Sequence, residues 1–396
     1  MKTAPSNRPR PSDPALLPDS VPLLDVQRGN QPLSEEIIMA IRGVCDSGRF
    51  LYGPDVQQLE QSVAAICQTE HAIGCASGSD ALLLALMALD IKPGDEVITP
   101  SFTFFATASC IWRLGARIVF ADIEAETFNV DPERIEAAIT PATKAILVVH
   151  LFGQCAQMDA IQAIARRHGV AVIEDGAQAI GAEFEGRAAG SMGDIGCFSF
   201  YPTKNLGGFG DGGMLTTNQE WLAKKLRQLA AHGMHTRYYH QMVGINSRLD
   251  SIQAAVLNVK VAQLGTWCQQ RRANAARYLE LFAHAGLDDW LQLPCEVPGR
   301  HHVWNQFTIR VPHGLRDGLR EQLADQRIGT EIYYPLGLHQ QECFRPLGYG
   351  PGSLPETERA AGEVLSLPIF PELTDAELQR VVQGTAEAVH LTRRAA

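Results

Sequence analysis

Apolar positions along the chain fall into two alternating patterns. Over residues 33–45 they recur at helical spacing (Ile37, Ile38, Ile41, Val44), and again over 56–67 (Leu59, Val63, Ile66), with a Gly/Pro break at 48–54 between them. A short strand at 71–75 then runs into an apolar helix after Asp80. Beyond it, compact apolar runs at 96–99, 117–121, 145–151, 170–173, 195–201 and 214–217 predict strands. Helical stretches at 102–114, 132–139, 158–168 and 221–231 separate them, and Pro132 suits a first helical turn. Strands that are apolar throughout, rather than alternating, predict a mostly parallel sheet covered on both faces. Helices at 250–261 and 269–283 lead into a second set: strands 306–311 and 330–334, helices 315–326, 356–364 and 375–389. The expected division is a large domain over 21–265 and a smaller C-terminal α/β domain over 266–396.

Composition narrows the class without changing that picture. With 45% hydrophobic and 20% charged residues in 396, the chain reads as a soluble globular protein. A net charge of −10 argues against a broad nucleic-acid surface, but not against a local anion pocket. No run approaches a membrane span, and the N-terminus lacks an apolar signal core. Residues 1–20, rich in Pro, Ser and Asp, read as a disordered leader. The nine cysteines are scattered, with neither C-x-x-C nor zinc spacing, so no metal site is expected and the thiols predict a reducing, cytoplasmic setting. Cys75, Cys155 and Cys197 read as packing residues.

Three places carry candidate chemistry. Between Gly196 and Gly213, Lys204 follows a short apolar run and precedes a glycine cluster. It fits an exposed turn, or a Schiff-base lysine whose amine is deprotonated by desolvation and whose glycines admit a ligand. Ser77-Gly78-Ser79-Asp80 opens a helix; this is either a plain cap or an anion site built from free N–H groups and the helix dipole. Asp175 and Gln178 close a buried strand, where ligands of open α/β sheets bind. Asp175 fits a turn cap or a carboxylate facing a cationic ring nitrogen, with Glu174 the less favoured alternative. The stretch 231–248, dense in His, Arg and Tyr, reads as a binding loop. Phosphate site, ring-nitrogen partner and amine together match the three ends of pyridoxal 5′-phosphate, with Ser199 near the lysine and Phe104 able to cover the ring.

The order of these motifs resembles the DegT/DnrJ/EryC1/StrS family of nucleotide-sugar aminotransferases. The likeness runs from Val21 to the last helix. Its carriers are Gly53-Pro-Asp-Val with Leu59-Glu60, Ser77-Gly-Ser-Asp-Ala-Leu, Pro100-Ser-Phe-Thr-Phe-Phe-Ala-Thr, Glu174-Asp-Gly-Ala-Gln, Phe198-Ser-Phe-Tyr-Pro-Thr-Lys-Asn-Leu-Gly, Gly244-Ile-Asn-Ser-Arg, and Tyr333-Tyr-Pro with Leu338-His339. The resemblance implies an aspartate-aminotransferase-like fold, a homodimer, and amino transfer from glutamate to a keto-sugar on a dTDP or UDP carrier. It implies that Lys204 carries the cofactor, that Asp175 faces the pyridine nitrogen and that Gln178 sits near the ring. Gly78, Ser79 and Ser199 would hold the phosphate, Phe104 would stack, and Asn246 would reach the neighbouring subunit's cofactor. Arg248, Arg237, Tyr334 and His339 are the implied substrate contacts. Two departures stand out: Gly176 where alanine is usual, expected only to loosen packing, and Tyr201 where the family often has His or Phe. The alternatives are a same-fold enzyme acting on an amino acid, or a non-catalytic cofactor-binding regulator.

Overall fold

A computed structural model describes residues 17–287 and 290–395. Most of the expected leader lies outside the described residues. Seven strands form one sheet: β1 (His71–Cys75), β2 (Glu96–Pro100), β3 (Arg117–Ala121), β4 (Thr143–Val149), β5 (Ala171–Asp175), β6 (Ile195–Ser199) and β7 (Gly213–Thr217). Their order is β1-β7-β6-β5-β4-β2-β3. β2 to β6 run parallel, and β7 is antiparallel to both its neighbours. This is the mostly parallel mixed sheet of the expected fold. Ala145 to Val149 of β4 are all buried, as a strand covered on both faces requires.

Two hydrophobic layers sandwich the sheet. One packs Leu82, Ala108 and Leu226 from helices Gly78–Ala88, Phe105–Arg113 and Glu220–Ala230. The other packs Leu59, Ile161 and Leu257 from helices Pro54–Ile66, Met158–His168 and Ser251–Val261. A third core, centred on Tyr278, Phe282, Phe307 and Val381, joins the long helix Leu264–Ala285, helices Arg316–Asp325 and Asp375–Ala395, and the antiparallel strands Phe307–Arg310 and Val364–Leu367. Val21 is buried in this third core and bridges Ile328, so the first described residues pack on the C-terminal part.

Four local expectations give way. No strand forms over 330–334; only Glu331 pairs, with Ser366. The partner of Phe307–Arg310 is instead Val364–Leu367, a strand that begins on the last residue of the helix expected over 356–364. Strand preference depends on an available neighbour, and here the neighbour lies in another segment. The expected loop at 231–248 contains a small hairpin, Met234–Thr236 with Tyr239–His240. The helix expected from Phe102 starts at Phe105, leaving 101–104 as a loop above the end of β2.

Candidate active site

Asp175 closes β5 in register with Cys197 of β6, and Ser199 closes β6 two residues further on. Successive strand residues point to opposite faces, which separates Glu174 from Asp175. Glu174 accepts N–H bonds from Gly190 at 2.8 Å, Met192 at 2.7 Å and Gly193 at 2.5 Å, and one from His150 Nε2 at 2.8 Å. His150 Nδ1 accepts from the Ala156 N–H at 3.1 Å, so the proton sits on Nε2. Glu174 is thus fully engaged in holding the 190–193 turn. Asp175, 5% exposed, accepts only from Thr107 Oγ1 at 2.8 Å and from the Ala177 N–H at 3.1 Å among the described residues. Burial pushes its carboxyl above the ordinary range; the Thr107 hydroxyl, the Ala177 amide, Lys204 and His150 pull the other way.

Lys204 lies in the connection between β6 and β7. Hydrogen bonds from Phe200 N to Gly212 O at 2.8 Å and from Gly208 N to Phe200 O at 2.7 Å close this loop. Two side chains anchor it from behind. Asn205 Nδ2 donates to Val303 O at 3.0 Å, and Asn305 Nδ2 donates to Asn205 Oδ1 at 2.9 Å. Gln253 Oε1 accepts the Phe209 N–H at 2.8 Å. Lys204 keeps some solvent contact, yet protein packed around its amine lowers its pKa from 10.5 to about 8, against the opposing pull of Asp175. An amine that loses its proton this close to neutrality can act as nucleophile or base.

The helix Gly78–Ala88 begins beside Ser199. Ser77 caps it, its Oγ accepting from Asp80 N at 3.1 Å, and Ser77 O accepts from Ala81 N at 2.9 Å. The Gly78 and Ser79 N–H groups belong to the first turn, where a helix leaves its donors unpaired. A Cβ on Gly78 would lie 2.7 Å from Ser199 Cβ, so only glycine lets the two segments meet. The result is a cradle of N–H and hydroxyl donors with the helix dipole behind it, which suits a phosphate. Phe104, 59% exposed, stands at the helix start above β2, its ring 6.4 Å from that of Tyr334. Gln178 Oε1 accepts the Phe152 N–H at 2.6 Å, and its Nε2 reaches the Tyr334 hydroxyl at 3.5 Å. Anion cradle, buried carboxylate, desolvated amine and exposed ring together fit pyridoxal phosphate in chemistry.

Other expected contacts sit differently. His339 is 2% exposed; its Nδ1 bonds Ser101 Oγ at 2.7 Å and its Nε2 bonds Glu358 at 3.2 Å. With both ring nitrogens engaged, it ties the 101–104 loop to the helix Pro355–Glu363 and offers nothing to a substrate. The guanidinium of Arg248 lies 6.0 Å from the Tyr52 ring, and that of Arg237 lies 5.1 Å from the Tyr238 ring on the exposed hairpin. Among the described residues neither bonds the Lys204 cluster. Asn246 is exposed, next to Ser247, whose Oγ accepts the Ala76 N–H at 3.1 Å. Gly176 does not loosen packing: a Cβ there would fall 2.7 Å from the Phe198 ring, which fills the space. Sequence reasoning missed Thr107 and the Asn205–Asn305 pair. Thr107 follows Phe104 by three residues and Thr103 by four, a helical spacing that could have signalled it.

The DegT/DnrJ/EryC1/StrS aminotransferase family model matches residues 31–385. The chain belongs to this family. A Geobacillus stearothermophilus protein named a pleiotropic regulatory protein is 51% identical, covering 93% of this chain and 98% of its own length. An Acidithiobacillus ferrooxidans UDP-N-acetyl-3-dehydro-alpha-D-glucosamine 3-aminotransferase is 45% identical, covering 94% and 98%. The crystal structure of S. venezuelae DesV in complex with a ketimine intermediate is similar at TM-score 0.89 and 44% identity, covering 93% of this chain and 98% of that one. The chain is therefore an aminotransferase by family. No helix among the described residues is long and apolar enough to cross a membrane.

Proposed function

We propose that this aminotransferase uses pyridoxal 5′-phosphate to move an amino group from glutamate to the keto carbon of a sugar carried on a nucleoside diphosphate. The observation that carries the reading is a Lys204 amine of lowered pKa, in the connection that follows β6, interacting with the buried Asp175 at the end of the neighbouring β5. The names of the curated relatives supply the substrate class. When bound, the cofactor supplies an electron-withdrawing ring and an aldehyde that condenses with amines. Asp175 holds positive charge on the ring nitrogen. Lys204, with its amine of lowered pKa, would hold the cofactor at its aldehyde end and would supply the base that moves a proton at the substrate carbon. Gly78, Ser79 and Ser199 hold the phosphate, Phe104 covers the ring, and Gln178 orients it from the side. Arg237, Arg248 and Tyr334 are the residues assigned to the anionic, hydroxylated substrate.

The reading includes a homodimer in which Asn246 reaches the second copy's phosphate cradle. Support comes from exposed large apolar side chains, including Phe50, Leu51, Tyr52, Phe105, Tyr201 and Phe209, of the kind a partner surface covers. A cytoplasmic location accords with nine free thiols, six of them buried. The purified protein should show a visible cofactor band and aminate a nucleotide keto-sugar with glutamate. Lys204→Ala should lose at least about a thousandfold in kcat, the scale of losing nucleophile and base together. A wild-type protein that binds cofactor yet never takes an amino group from any donor would instead support the regulator that the Geobacillus relative's name suggests.

A further inference from the structure

Beneath Asp175 lie two buried hydroxyls that the reading above leaves without a task. Thr107 sits early in the helix Phe105–Arg113, and Thr103 in the loop before it; both are buried. Thr107 Oγ1 donates to Asp175 Oδ2 at 2.8 Å, and the Thr103 and Thr107 hydroxyl oxygens are 3.2 Å apart. A hydroxyl carries one proton. Thr107 directs its proton to Asp175, so Thr103 must be the donor in the second bond. Both protons therefore point toward the carboxylate. Hydrogen bonds aligned this way strengthen one another, and bonds donated to a carboxylate favour its charged form. Burial works in the opposite sense.

We infer that Thr107, backed by Thr103, is a positioning residue that keeps Asp175 an oriented anion for the cationic ring nitrogen of the cofactor. This rests on the role given to Asp175 above. The same five-residue segment, 103–107, also carries Phe104, so ring cover and carboxylate support are set by one piece of backbone.

The test is titration of apo-protein with pyridoxal phosphate, followed by absorbance, for wild type, Thr107→Val, Thr107→Ser and Thr103→Val. Loss of a hydrogen bond to a charged group predicts about tenfold weaker binding in Thr107→Val, binding within about threefold of wild type in Thr107→Ser, and a loss of about two- to fivefold in Thr103→Val. A second readout needs no cofactor. The groups facing Asp175 are Lys204, His150, Cys110, Cys197 and Tyr334. An aspartate whose folded pKa is raised costs stability at neutral pH, and the cost fades as pH falls toward its unfolded value of about 3.9. Apo Thr107→Val should therefore unfold more readily than apo Thr107→Ser at pH 7, with the gap closing toward pH 4. A packing defect would leave the gap constant. The inference is overturned if Thr107→Val binds within threefold of wild type, if serine fails to rescue, or if the stability gap ignores pH. Should Thr107→Val not fold, Thr103→Val decides: unchanged cofactor binding overturns, and a twofold or greater loss supports. Asp175→Asn separates the two readings, since unaltered cofactor binding there would remove the role of Asp175 itself.

Discussion

Lys204 carries a cost that its chemistry requires. Its pKa of about 8 lies below the 10.5 of a free lysine, so below pH 8 the folded apo-protein holds a desolvated cation that the unfolded chain does not. The penalty is full below pH 8 and fades as pH rises to about 10.5. Lys204→Met should stabilise the apo-protein by about 1–3 kcal/mol at pH 7 and by little near pH 10, read from chemical denaturation at the two values. Gly176 behaves in the opposite way. With the Phe198 ring in the place of its missing Cβ, Gly176→Ala should cost about 1–3 kcal/mol through overpacking; an unchanged unfolding midpoint would show that the ring can step aside. Asp175 at a strand end, Ser77–Ser79 at a helix start and Lys204 in the Pro/Gly-marked turn after an apolar run were legible in the sequence because periodicity and turn residues mark such boundaries. Thr107 was not, since a threonine on an apolar helix looks like filler until the strand opposite is known. The burial of His339, with both ring nitrogens bonded, was not legible because a motif gives identity but not burial.

Strand β5 shows how one element serves two faces. Asp175 and Glu174 are adjacent carboxylates sent to opposite sides by the pleat, one toward the site and one into a ring of four donors. Glu174→Gln replaces an acceptor oxygen with an NH2 group that faces N–H donors. It should destabilise by about 3 kcal/mol or more and loosen the 190–193 turn, seen as faster amide exchange there. Elements of the central sheet were predictable because apolar runs and helical periods alternate cleanly. The pairing of Phe307–Arg310 with Val364–Leu367 was not, because partners separated by more than fifty residues are chosen by packing, and nothing local marks them.

At the scale of the molecule, the proposed sharing of Asn246 makes activity a property of the pair. Lys204→Ala and Asn246→Ala subunits, each inactive alone, should recover roughly one quarter of wild-type activity when refolded together at equal amounts, because half the dimers would be mixed and each would hold one intact site. A mixture no better than its components would show that each chain completes its own site. The connection that carries Lys204 has a further meaning in terms of chain entropy. It leaves β6 and returns on the next strand, and its ends are joined by the Phe200–Gly212 hydrogen bond. Closing so short a span between neighbours is inexpensive, and the sheet has already done it. The lysine is therefore confined before any ligand arrives. Little of the cofactor's binding energy is lost to ordering the residue that must react with it.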